Sequence, residues 1–191
     1  MEKYFIFLKV ISVLLSEVAI AFYLIMIFSF YGNLGNLNFV NNILISTIFM
    51  VIIPVAAIVV FNKQVILEMG LIERNQRTKF YLTNLISYGI ASFIFYYFNN
   101  LIMLKITLSF IFTLFILFLI NFRWKISLHG AGIAIGTMVL FLNFGFISVI
   151  AFALFPLIYW LRLKLKAHNI YQLLAGSLVG FAATYIIFVS I

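Results

Sequence analysis

His129 and His168 are the only imidazoles in a chain of 191 residues that has four acidic residues and no cysteine. Each follows a basic run: Arg123 and Lys125 precede His129, while Arg162, Lys164 and Lys166 precede His168. Imidazole changes charge near neutrality and can serve as nucleophile or general acid. Guanidinium and ammonium groups bind phosphate oxygens. An anion-binding site suits this set. Local signals also place both histidines at helix starts. Asn169 followed by Gln172 predicts a capping box that opens the last helix just after His168. Ser127 predicts the N-cap of the helix that carries His129. Free N–H groups and the dipole at such starts favour an anion. Arg162 converges on His168 if the chain between them folds back. No cofactor is implied, and no carboxylate cluster is present to hold a metal.

The elements that must position these residues are set by composition. The chain is 66% hydrophobic and 8% charged, with a mean hydropathy of +1.26. A soluble domain of this size cannot bury so much apolar surface. Alternating polarity, the mark of a membrane β-barrel, is missing. An all-α, polytopic transmembrane helix bundle is predicted, with about seven spans at 5–30, 43–61, 80–98, 101–120, 129–143, 146–160 and 170–190. Residues 1–191 form a single integral membrane domain without repeat or linker. The first span, with Glu17 inside it, reads as a retained helix. The net charge of +8 suits anionic lipids or phosphorylated substrates. Nucleic acid is excluded, because the cations sit beside spans and not on a soluble module.

The two central spans are short, and Asn143-Phe144-Gly145 reads as the turn between them. The rival is one tilted helix over 128–160. With the turn, Lys3, Lys9, Lys63, Arg74, Arg77, Lys79, Arg123, Lys125, Arg162, Lys164 and Lys166 share one side, and only Lys105 lies on the other. That asymmetry favours the hairpin and a cytoplasmic basic face. Segment 62–79 is predicted to form a short interfacial helix.

The motif residues resemble the type 2 phosphatidic acid phosphatase superfamily, marked by Lys-x6-Arg-Pro, Pro-Ser-Gly-His and Ser-Arg-x5-His-x3-Asp. Arg162-x5-His168-x3-Gln172 is similar to the third motif, with Leu161 in place of its serine and Gln172 in place of its aspartate. Ile126-Ser127-Leu128-His129 matches the second at serine and histidine. Arg77-Thr78 stands for the end of the first, where the lysine position holds Gly70. The likeness covers 62–172 and looks most like a divergent bacterial branch. It implies a six-helix core in a bacterial inner membrane and a metal-independent lipid phosphatase or phosphotransferase. In that scheme His168 is the nucleophile that becomes phosphohistidine, and His129 protonates the leaving alkoxide. Arg77, Ser127 and Arg162 hold phosphoryl oxygens, Gln172 orients His168, and Lys164 or Lys166 stands in for the absent lysine. The implied partners are membrane lipids and a lipid phosphate substrate. The lost lysine and aspartate equally suit a non-catalytic subunit of a membrane complex.

Blander readings stand beside these. Juxtamembrane cations are ordinarily topology determinants or headgroup contacts, and an interfacial histidine is often structural. The patterns Gly132-x3-Gly136 and Gly176-x3-Gly180 predict close approach of the two histidine-bearing helices, with homodimerisation as the alternative. Glu17, near mid-span, suits either a buried structural group or an ion pathway. Lys105 either pairs with it or snorkels to the nearer surface.

Overall fold

The computed structural model describes residues 2–61 and 77–191. The predicted interfacial helix therefore lies almost wholly outside the described residues, as does the Arg77 side chain. The described chain is helical throughout: α1 (Glu2–Leu14), α2 (Glu17–Tyr31), α3 (Phe39–Thr47), a π-helical turn (Ile48–Ile52), α4 (Ile53–Phe61), α5 (Arg77–Tyr97), α6 (Leu101–Asn121), α7 (Leu128–Phe144), a 3₁₀ segment (Gly145–Ala153), α8 (Leu154–Lys164) and α9 (Ile170–Ser190). Among the described residues, four helical stretches are long and apolar enough to cross a membrane: Phe39–Val60, Leu101–Asn121, Leu128–Lys164 and Ile170–Ser190. The α1–α2 pair makes a fifth if taken as one bent span. This measure of the described residues does not confirm the expected count of seven.

Between α7 and α8 the chain reverses. Phe152 and Phe155 stack on Phe181 of α9 at 5.9 and 5.4 Å. The Tyr159 hydroxyl lies 2.8 Å from Ser177 Oγ. That same length of α9 also packs on the first turns of α7, with Gly176 against Ser127 and Gly180 against Ala131. Helices α7 and α8 thus flank one stretch of α9, which a single straight helix over 128–160 cannot do. The bend sits at Gly145, whose φ of 64° and ψ of −144° fall where only glycine rests without strain.

The close approach of α7 and α9 is made by Gly176, where a Cβ would run into the Ser127 carbonyl, and by Gly180. Gly132 and Gly136 face elsewhere. A Cβ on Gly132 would sit 2.7 Å from Glu17 Cα, and one on Gly136 would meet Ile20. The first small-residue pattern therefore seats α2, while the second joins the histidine-bearing helices.

The predicted first span is broken, with α1 and α2 bent by 49°. Ser16 caps α2 by accepting from Ala19 N–H. The Leu14 carbonyl, released by the break, accepts from the Tyr23 hydroxyl at 3.0 Å on the outer face of the bundle, so its hydrogen bonding is satisfied within the chain. The π-helical turn is handled similarly: the Phe49 and Met50 carbonyls accept from Ser87 Oγ at 2.6 Å and Tyr88 Oη at 3.4 Å. Helices α5 and α6 run antiparallel, with Tyr88 on Phe110 and Tyr81 on Phe118. At one end of the bundle lie the starts of α5, α7 and α9 and the ends of α6 and α8. This basic end holds Lys79, Arg123, Lys125, Lys164 and Lys166. At the other end Ser29, Asn42 and Asn100 form a buried chain of side-chain hydrogen bonds.

Candidate functional site

Two helix starts lie side by side at the basic end. Ser127 Oγ accepts from Gly130 N–H at 3.2 Å and caps α7. Asn169 and Gln172 form the complete capping box of α9. The two starts are joined directly, because Ser127 N–H donates to the Gln172 carbonyl at 3.2 Å. Ser177 of α9 adds a second tie to the Gly130 carbonyl. Both histidines therefore belong to one end of the bundle, His129 in the first turn of α7 and His168 immediately before the cap of α9.

Arg162 is 1% exposed, the largest fully buried side chain among the described residues. Its Nη1 donates to Ser12 Oγ at 2.8 Å. His129 Nε2 lies 3.1 Å from the Ser12 carbonyl and 3.3 Å from Ser12 Oγ. A backbone carbonyl can only accept, so Nε2 carries the proton in this contact. Ser12 thus gathers Arg162 and His129 from α8 and α7 onto α1. Sequence reasoning expected Arg162 to converge on His168; its guanidinium reaches the serine that also holds His129.

His168 is 7% exposed, and its Nδ1 lies 3.0 Å from Gln172 Oε1. That oxygen also accepts from Asn169 N–H at 3.1 Å, which fixes the orientation of the amide. Nδ1 must then be the donor. A neutral His168 therefore carries its proton on Nδ1 and its lone pair on Nε2, the form a nitrogen nucleophile requires.

Lys166 sits in the turn that ends α8, with φ of 52°, and its side chain is exposed. Backbone bonds from Lys166 N–H to Leu163 and from Ala167 N–H to Arg162 close this turn. That closure sets His168 at the mouth of α9. Trp124 and Trp160 are exposed at the same end, as expected of residues at a membrane surface.

Ser12 is the residue that sequence reasoning missed. It is 1% exposed in a helix whose neighbours Phe7, Val10, Val13 and Leu14 are all exposed. Its only signal in the sequence is a hydroxyl in an apolar run. Glu17 is buried, and neither carboxylate oxygen has a hydrogen-bond partner. Lys105 does not pair with it: the ammonium lies 3.5 Å from the Phe188 carbonyl, near the end of α9. Among the described residues, no three His, Cys, Asp or Glu side chains gather into a metal-ligating group.

No family model, curated protein or solved structure matches this chain.

Proposed function

We propose that this chain is an integral membrane protein of the phosphatidic acid phosphatase type, acting on the phosphate of an amphiphilic lipid at its basic end. The observation that carries this reading is the junction of two helix N-termini, each with its histidine, beside the buried Arg162. Helix starts and guanidinium groups stabilise phosphoryl charge. The flanking tryptophans suit a site at headgroup depth. In this reading the polypeptide crosses the membrane about seven times. The short pair α7 and α8 forms two of the crossings, and the basic end faces the cytoplasm of a bacterial cell.

The chemistry proceeds in two displacements. His168 Nε2 attacks phosphorus, an N–P bond forms, and the P–O bond to the lipid alkoxide breaks. The alkoxide takes a proton from His129. Water then attacks the phosphohistidine, His129 takes back a proton, and the N–P bond breaks to release phosphate. Arg162 neutralises charge on the phosphoryl oxygens, Ser127 donates a hydrogen bond to them, and Arg77 and Lys166 are the further cations assigned to them. Ser127 keeps an O–H to donate even while its oxygen caps α7.

The test is metal-free release of phosphate from a panel of lipid phosphomonoesters and pyrophosphates by the purified, folded protein. An acid-labile phosphohistidine, lost in His168→Ala, is the expected intermediate. Absence of turnover and of labelling across the panel defeats the catalytic reading.

A second reading, a non-catalytic subunit of a larger membrane complex, is favoured by two observations. The proton-bearing nitrogen of His129 is held by the Ser12 backbone, and the oxygen that orients His168 is an uncharged amide. This reading predicts co-purifying membrane proteins and no cellular defect in His168→Ala.

A further inference from the structure

The end of the bundle opposite the basic cluster contains a cavity of about 550 Å³. Phe28, Phe144 and Phe188 form apolar walls, Asn33 and Asn99 line it as well, and Lys105 reaches it from α6. This volume falls in the range of ordinary ligand sites, roughly 300–1,000 Å³.

Lys105 is incompletely satisfied there. An ammonium has three N–H donors, and this one has a carbonyl at 3.5 Å and the Phe188 ring at 5.6 Å. None of the lining residues is acidic. Glu17 packs at Gly132, and Leu142, which lines the cavity, lies ten residues further along α7, about 15 Å at the helical rise. The carboxyl cannot reach the ammonium. The start of α6, at Leu101 and Ile102, borders the same space and adds the positive end of a 21-residue helix. No other Lys or Arg lies between 80 and 122. A lone cation kept about five residues inside a span is expensive unless it meets an anion or the surface.

We propose that this cavity binds the headgroup of an anionic phospholipid. Its phosphodiester sits on Lys105 and the asparagine amides, and the upper part of an acyl chain lies along the phenylalanine walls. An anionic phospholipid with a glycerol headgroup fits better than a fatty carboxylate, because its hydroxyls can donate to the amide oxygens of the lining asparagines, which a carboxylate cannot do. The proposal is independent of the phosphoryl-transfer reading, since the site uses none of the residues at the basic end.

The experiment counts lipids retained by the full chain, released from nanodiscs of phosphatidylcholine doped with phosphatidylglycerol, by native mass spectrometry. The wild-type chain is expected to keep one phosphatidylglycerol more than Lys105→Gln, with at least tenfold weaker retention of that molecule in the variant. Lys105→Arg should keep it, and oleate should not displace it. The bulkier Leu142→Trp, which fills the cavity and leaves the charge in place, should lose the same single lipid and serves if Lys105→Gln fails to fold. Equal retention by wild type and Lys105→Gln overturns the proposal. Equal retention of phosphatidylcholine at this site, or displacement by oleate, overturns the assignment of its ligand.

Discussion

Gln172 uses one carbonyl oxygen twice, to accept from the backbone of Asn169 and to hold His168 Nδ1. Glutamate has the same length and closes a capping box equally well, so Gln172→Glu isolates the missing charge. A carboxylate there stabilises the imidazolium and raises the pKa of His168. On the proposed mechanism the expected result is faster phosphoryl transfer, by up to about 10⁴-fold if the charge counts here as it does in a serine triad. The acid limb of the pH–rate profile should move to higher pH, because the nucleophile must be neutral. Single-turnover labelling and the ¹⁵N shifts of His168 measure both effects. Ser12→Ala removes the acceptor of a buried guanidinium N–H and should cost about 1–3 kcal/mol, read as reduced resistance to unfolding in SDS. The roles of Ser127, Asn169 and Gln172 as caps were legible because capping acts over three residues. Ser12 was not, since its partners lie 117 and 150 positions away and only the folded bundle brings them together.

Between α7 and α9 the deciding atom is one that Gly176 lacks. A methyl group there enters the Ser127 carbonyl, so Gly176→Ala should separate the two helix starts and cost about 1–3 kcal/mol. Gly89 is the internal control: its Cβ would meet nothing within 4 Å. Gly89→Ala, in the middle of α5, is expected to leave stability unchanged or raise it by about 0.5–1 kcal/mol. Parallel thermal unfolding of the two variants checks the contrast. The α7–α8 reversal could be anticipated because a glycine two residues after an asparagine coincided with a charge asymmetry that only a hairpin preserves. The break between α1 and α2 could not. Leu15 and Ser16 carry no helix-breaking residue, and the bend is held by contacts that the sequence does not announce, chiefly the packing of Glu17 on Gly132 and the Tyr23 hydroxyl on the Leu14 carbonyl. For the same reason Gly132 and Gly136 were assigned to the wrong neighbour: a small-residue stripe fixes how closely a helix can be approached, but not by which partner.

At the scale of the whole molecule the two ends differ in kind. One gathers the cations, both histidines and two exposed tryptophans. The other has a single lysine, a buried Ser29–Asn42–Asn100 chain and uncharged loops tied by Asn36 N–H to the Phe98 carbonyl at 2.8 Å. This polarity makes the path of the chain testable without reference to activity. The protein has no cysteine, so each introduced cysteine is the only thiol present. Cysteines replacing Lys125 and Lys164 should react with an impermeant maleimide from the same side of sealed vesicles, and those replacing Asn33 and Asn143 from the opposite side. A single crossing between 128 and 164 would place Lys125 and Lys164 on opposite sides. That result would also divide Arg162 from His129, which Ser12 now joins, and no phosphoryl site could be assembled from them. The positive-inside asymmetry further predicts that the reactive side for Lys125 is cytoplasmic, so in intact cells that position should stay unlabelled while Asn33 reacts.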